Sequence, residues 1–338
     1  MIGLALVNLI LSIATLSIWR FWGRTKVRQQ LWGGVVAWND PAEYTGTGKE
    51  LFLGFLLALV VIYLPLGFLF TVAQGLVVAG DPQGMVMLSV LYPLTVFLVA
   101  AGLFRARRYQ LTRTKWRGIR GGQTGSSWGY AFRALAVWLL VPLTLGWAWP
   151  WGEMWLARYR MNNTCFGDRH FSCDSGVAGL YGRFLLVWLS ALAYFGVMGL
   201  ALWQWVAEAV ETGELDESMI GFLPLVLMGA VLVLMLPWVW YRAAFYRALV
   251  GGTRFEGCRF QADITTWKLI RLAFGNGLIS VFSLGMLRPW AALRTFRFTC
   301  DVLGVDGVPD FAAIHQNLET TPKIGEGLIS VLDGAGEF

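Results

Sequence analysis

The residues best suited to chemistry are arginines set beside aromatic rings. Arg105, Arg107, Arg108 and Tyr109 form one cluster, Arg158, Tyr159 and Arg160 a second, and Arg242, Tyr246 and Arg247 a third. Trp116-Arg117 is echoed by Arg254-Phe255. A guanidinium presents a planar fork of donors that grips phosphate at two points. An aromatic ring beside it suits a membrane–water boundary, where apolar stems stay in lipid and charged heads reach the headgroups. Part of this pattern is the belt and cytoplasmic basic bias of any membrane protein. Its repetition points further, to contacts with anionic lipid headgroups. The contacting residues would be Arg107, Arg108, Trp116, Arg117, Arg158, Arg160, Arg247 and Arg254.

Other constellations fall away. Gly46-Thr47-Gly48-Lys49 has the look of a phosphate-binding loop, but Glu43 stands where its first glycine belongs and Glu50 where Ser or Thr is needed. It reads as a turn admitting a helix. His170 and His315 lie in different loops, with no Cys-x-x-Cys pair to join them in a metal site. Cys165 and Cys173 are of a type that could bind or oxidise, but Cys173 reads rather as a small side chain in a hairpin. No catalytic residue, metal or cofactor is expected, and the chain is expected not to be an enzyme.

The elements that position the arginines are apolar. Of 338 residues, 57% are hydrophobic and 14% charged, against about 25% charged in a soluble domain. Such a composition indicates an integral membrane protein. The net charge of +6 is read as excess Lys and Arg in cytoplasmic loops, not as affinity for nucleic acid. Uncharged runs cover 1–19, 51–80, 83–104, 134–152, 184–207, 218–241 and 272–287. Crossing ~30 Å of hydrocarbon takes about 20 helical residues, so the runs at 51–80, 83–104, 184–207 and 218–241 are expected to span as two hairpins. Between the runs lie loop A (20–50), loop B (105–133), loop C (153–183), loop D (242–271) and a tail from 288. They hold 5, 8, 4, 6 and 4 Lys or Arg, whereas the two hairpin connectors hold none and carry six acidic residues. Loops B, C and D mix β-formers with turn residues and read as short β-hairpins.

The sequence repeats. The stretch 114–151 recurs 139 residues later: Thr253 for Thr114, Thr265-Thr266-Trp267 for Ser126-Ser127-Trp128, Ser283-Leu284-Gly285 for Thr144-Leu145-Gly146, and Pro289-Trp290 for Pro150-Trp151. Thr15-Leu16-Ser17 and Trp22-Gly23 make a partial third copy. Asn8 and Asn276 stand seven residues before Thr15 and Ser283 and are candidate intramembrane polar residues; Val137 takes that place in the middle copy. Trp22, Trp151 and Trp290 close the copies. The expected fold is an all-α integral membrane protein, an internally duplicated polytopic helical bundle with short β-hairpin-like cytoplasmic loops. Its parts would be 1–19 as a first apolar segment and partial copy, 20–152 and 153–290 as repeat halves, and 291–338 as a soluble tail.

Two topologies follow. If the short, Pro- and Gly-broken segments 1–19, 134–152 and 272–287 span, the halves are inverted, as in many transporters. If they re-enter, all basic loops share one side, which the charge distribution favours, at least for the middle segment. For the first segment alone, basic residues behind it favour an outer N-terminus.

Asn8, Thr15-Leu16-Ser17, Trp22-Gly23-Arg24, the string Tyr44-Thr45-Gly46-Thr47-Gly48-Lys49-Glu50-Leu51-Phe52, Val308-Pro309-Asp310-Phe311 and Glu326-Gly327-Leu328 resemble the YjgN-like family of bacterial inner-membrane proteins. The resemblance implies location and architecture but no reaction, the family being of unknown function. It also implies a Phe- and Gly-rich stretch ahead of the first segment, so Met1 reads as a truncated or misassigned start. The expected role is a multi-pass protein of the bacterial inner membrane, transporter-like or lipid-handling, with a site near the broken segments. The other reading is a non-transporting scaffold or adaptor for a cytoplasmic or membrane partner such as a protease. Expected partners are the bilayer, anionic phospholipids and a protein met through the loops or tail.

Overall fold

Helix starts follow the sequence closely. Thr47, Ser126 and Thr265 each accept the backbone N–H three residues on, and Asp81 accepts from Gln83 ahead of Pro82. These caps satisfy donors that a helix start leaves bare. The computed structural model describes residues 2–212, 217–283 and 285–316. Met1, Leu284, positions 213–216 of the acidic connector and the part of the expected soluble tail from 317 lie outside the described residues.

The helices are α1 (Ile2–Ala14), α2 (Arg20–Gly33), α3 (Gly48–Ala58), α4 (Leu64–Val78), α5 (Pro82–Arg113), α6 (Ser127–Leu143), α7 (Trp149–Asn162), α8 (Ala178–Thr212), α9 (Glu217–Gly251), α10 (Thr266–Phe282) and α11 (Arg288–Val302). A π-helical turn at Leu59–Tyr63 joins α3 to α4 just before Pro65, whose missing N–H cannot continue the α-helical ladder. Among the described residues three helices, Gly48–Val78, Pro82–Arg113 and Ala178–Glu208, are long and apolar enough to cross a membrane.

The expectation of an all-α fold is corrected by the loops, which form sheets. The strands are β1 (Val36–Ala37), β2 (Asp40–Tyr44), β3 (Thr114–Trp116), β4 (Ile119–Gln123), β5 (Thr164–Phe166), β6 (Arg169–His170), β7 (Ser172–Cys173), β8 (Thr253–Phe255), β9 (Cys258–Ala262) and β10 (Leu303–Asp306). They pair in two sheets, β1 to β6 in sequence order and β10-β9-β8-β7. Two-residue turns at Trp38-Asn39, Arg117-Gly118 and Glu256-Gly257 have positive φ at both positions, the geometry that matches strand twist in a tight hairpin. Pairing also runs between loops. β2 joins loop A to β3 of loop B, β4 joins B to β5 of C, β7 joins C to β8 of D, and β9 joins D to β10. Phe171 stacks on Phe255 where the two sheets meet, centroids 4.5 Å apart.

The short apolar segments are helical hairpins, α1–α2, α6–α7 and α10–α11. Each turns the same way. Thr15, Thr144 and Ser283 accept the backbone N–H four residues on, and Ser17, Gly146 and Gly285 close six-residue turns on Ser12, Val141 and Ser280. The middle hairpin is tight: a Cβ on Gly152 would come within 2.5 Å of Val137. The expected boundary between 152 and 153 therefore falls inside α7, and the tail expected from 291 begins inside α11. α11 packs on α1 and α2, and Trp32 of α2 meets Phe296 of α11 edge to face at 5.5 Å.

Candidate functional site

The arginines divide by what holds them. Arg113 pairs with Glu50 at 2.8 Å, and Glu50 also accepts from Tyr109. Arg117 pairs with Asp40 and lies over Trp116 and Phe311. Arg242 pairs with Glu153. These cations are neutralised. Others, among the described residues, meet only neutral groups. Arg105 lies 4.8 Å over the exposed Trp128 ring and donates to Ser127 Oγ at 3.2 Å. Arg133 lies 4.3 Å over Tyr159 and 5.6 Å over Trp155. Arg183 lies 5.7 Å from the Trp240 ring. Such a cation keeps its full charge for an anion, while the ring contributes about 0.5–1 kcal/mol at an exposed site.

The sequence-predicted residues are thus sorted rather than gathered. Arg108 and Arg247 donate to the carbonyls of Gly125 and Ile264, the same bond 139 residues apart. Arg107 reaches Met161 Sδ at 3.6 Å. Arg158 and Arg160 are half-buried, and the Nε of each is buried without a hydrogen-bond partner among the described residues. Arg254 is exposed on β8 opposite Ser172. Trp116 donates to the Asp40 carbonyl at 3.1 Å and packs in the strand layer with Trp38 and Phe311. Arg117 and Glu256, 139 positions apart, hold the first position of the same kind of tight turn, so Arg254 does not stand in the place of Arg117. Trp22 packs against Gly48, Trp151 stacks on Trp155 at 5.0 Å, and Trp290 is half exposed.

Asn8 and Asn276 do the same work in two hairpins. Asn8 Nδ2 donates to the Gly23 carbonyl at 3.5 Å and its Oδ1 accepts from Trp19 Nε1 at 3.1 Å. Asn276 Nδ2 donates to the Ala291 carbonyl at 3.4 Å and to Thr295 Oγ1 at 2.9 Å. Both tie a helix to its return, the packing role usual for a polar side chain in lipid.

Sequence reasoning missed three features. Arg133 and Arg183 were visible only as loop boundaries, and Arg105, although grouped with its neighbours, was not singled out as a contact; the rings that Arg105 and Arg183 meet, Trp128 and Trp240, are 23 and 57 positions away. Glu153 is gripped by Arg242, by Tyr241 Oη at 2.8 Å and by Trp149 Nε1 at 3.2 Å. The segment after β10 straps the first sheet. Asp168 and His315 exchange bonds, the His315 N–H reaching Asp168 Oδ1 at 3.0 Å and the Asp168 N–H the His315 carbonyl at 2.9 Å. That first bond chiefly holds the Asp168 carboxyl below its usual range. Phe311 is enclosed by Trp38, Trp116 and Arg117.

Among the described residues no group of three His, Cys, Asp or Glu is gathered to hold a metal. A crevice of about 550 Å³ lies at the far end of α4 and α5, lined by Leu76, Pro82, Gln83, Val86, Met87, Val90 and Leu91. Its lining comes from α4 and α5 alone.

Residues 1–331 match the family described as "Bacterial protein of unknown function (DUF898)". The chain belongs to this family. Within the curated proteins it is similar to the inner membrane protein YjgN of Salmonella typhimurium, 30% identical over 144 residues. That match takes in 41% of this chain and spans about a third (33%) of the relative's length. No solved structure matches the chain. The family's description names no reaction, so function must be argued from the geometry.

Proposed function

We propose that this protein is a multi-pass inner-membrane protein that binds anionic phospholipid headgroups along its strand layer, the lipid-handling form of the expected role. One observation carries the reading. Arg105 stands over the exposed Trp128 ring with a hydroxyl and, among the described residues, no carboxylate beside it, the arrangement that leaves a fork of donors for a phosphodiester. Arg133 with Tyr159 and Trp155, and Arg183 with Trp240, repeat it around the helices. The pairing of all four basic loops and β10 supports placing them on one face, and the positive-inside rule makes that face cytoplasmic. The same pairing favours re-entrant short segments over inverted halves. Bonds recurring 139 residues apart, at Arg108 and Arg247 and at the caps Ser126 and Thr265, support origin by duplication. The inner membrane is inferred from the named location of the Salmonella relative and from the three apolar helices.

The test is thermal unfolding of the protein purified in a neutral detergent, with phosphatidylglycerol or phosphatidylcholine added. Phosphatidylglycerol should raise Tm selectively, and Arg105→Ala with Arg133→Ala should flatten the difference. Equal stabilisation by both lipids sinks the reading.

The adaptor reading keeps one observation of its own. Val36 and Val308 are exposed in the strand layer near Trp38 and Phe311, an apolar patch on the face turned to the cytoplasm in this topology. Crosslinking from Val308→Cys in cells would recover a defined protein partner if the patch is a docking face, and lipid alone if it is not.

A further inference from the structure

The middle hairpin ends beside a helix that does not end. Trp147, in the turn between α6 and α7, packs against Tyr181, Phe184 and Trp188 of α8, and Trp188 Nε1 donates to the Leu145 carbonyl at 2.8 Å. These contacts lie three to ten residues into α8, so the turn sits about 5–15 Å above the helix start at ~1.5 Å per residue. Beyond Trp188, α8 runs 24 residues further, to Thr212. The hairpin meanwhile returns to where it began: Tyr159 Oη meets the Ser126 backbone at 3.0 Å, and the Thr124 N–H reaches the Asn163 carbonyl at 2.8 Å.

We infer that α6–α7 is a re-entrant hairpin whose turn lies in the hydrocarbon near the bilayer centre, in contact with acyl chains. A turn in lipid must satisfy its own polar backbone, because no water is there to do so. This one does. The N–H groups of Thr144, Leu145, Gly146, Trp147, Ala148 and Trp149 are all bonded within the turn, that of Ala148 through Thr144 Oγ1. The Leu145 carbonyl, left bare by the left-handed turn, takes the Trp188 indole. What faces outward is apolar: Leu143 is 78% and Leu145 75% exposed. No charge lies between Arg133 and Glu153.

Glu153 and Arg242 fit the same depth. Each stands nine residues before the end of its helix, α7 or α9, hence ~14 Å above the strand layer. A carboxylate there needs partners, and it has Arg242, Tyr241 and Trp149. The pair pins the hairpin to α9. The last hairpin differs, with Arg288 exposed beside its Gly285 turn, and the inference is confined to the middle one.

The test places Leu143→Cys in otherwise native protein, with labelling read residue by residue by mass spectrometry. Impermeant thiol reagents applied to spheroplasts, and to inverted vesicles, should leave the introduced thiol unlabelled on both sides and label it after denaturation. In reconstituted vesicles, an NBD fluorophore attached there should be quenched most strongly by lipids brominated at the far end of the acyl chain. Labelling from the periplasmic side would make the segment spanning. Labelling from the cytoplasmic side, or maximal quenching near the headgroups, would make it a surface hairpin. Either overturns the inference. Hydrogen exchange of the unaltered protein in nanodiscs gives a second reading. The 143–149 amides should exchange at least tenfold more slowly than the two-residue Arg117-Gly118 turn, and equal rates would overturn the inference as well.

Discussion

The Tyr241 hydroxyl donates to Glu153 Oε2 at 2.8 Å, joining α9 to α7 inside the helical layer. Arg242 grips the other carboxylate oxygen and also donates to Tyr246. The pair is half-buried, and removing one member of such a pair strands the other charge at a cost below the ~3 kcal/mol of a fully buried one, about 1–3 kcal/mol. Glu153→Ala and Arg242→Ala should each lower thermal stability by that order. The double variant should be more stable than the sum predicts, with a coupling of about 1–3 kcal/mol. Additive losses in a thermal-unfolding cycle would mean that the pair does not hold the hairpin.

Gly152 is needed where α6 and α7 touch. Its absent Cβ would fall 2.5 Å from Val137 Cγ1 and 2.9 Å from Cγ2. Gly152→Ala should therefore destabilise by about 1–3 kcal/mol through overpacking. Adding Val137→Ala should return part of the loss. If the double variant melts lower than Gly152→Ala alone, the close approach is not the cause.

Three hydroxyls hold three turns. Thr15, Thr144 and Ser283 accept the N–H of Trp19, Ala148 and Leu287 at 2.9, 3.0 and 3.1 Å. Thr15→Val, Thr144→Val and Ser283→Ala should each cost about 1 kcal/mol, the loss typical of a side-chain cap. Thr→Ser at the first two sites should cost less than Thr→Val. Stability unchanged by all three losses would show that these bonds are dispensable.

Asp168 makes the sheet strap sensitive to acid. Its folded value lies below the ordinary carboxylate value, first because it accepts the His315 N–H. The stabilisation is therefore present above the unfolded value of about 3.9 and is lost as pH falls through the lower folded value. The protection factor of the His315 amide should be steady from neutral pH to that range and drop below it. Asp168→Asn should remove the pH dependence; a drop of the same size in that variant would assign it elsewhere.

Much of the helical plan is legible in the chain. Thr47, Asp81, Ser126 and Thr265 mark helix starts, because an Ncap bond is made within four residues and needs no partner from elsewhere. Arg117-Gly118 and Glu256-Gly257 mark hairpins for the same local reason. The strand layer was less legible. Strands of two to five residues are marginal alone, and what stabilises them here is pairing with other loops, as between Tyr44 and Thr114 or Asp306 and Arg259. Reading loops B, C and D as isolated hairpins missed that sharing, and so missed the sheets.

By itself the sequence determined the apolar runs, the caps, the tight turns and the bias of basic residues to alternate loops, since each depends on composition or on neighbours a few positions apart. Only the tertiary structure decided which arginines meet carboxylates, that Glu153 faces Arg242 across 89 positions, and that His315 closes on Asp168 across 147. Those bonds depend on helices brought side by side by packing of groups such as Met154, Phe184 and Phe245, and close packing is a property of shapes in contact that no local pattern encodes.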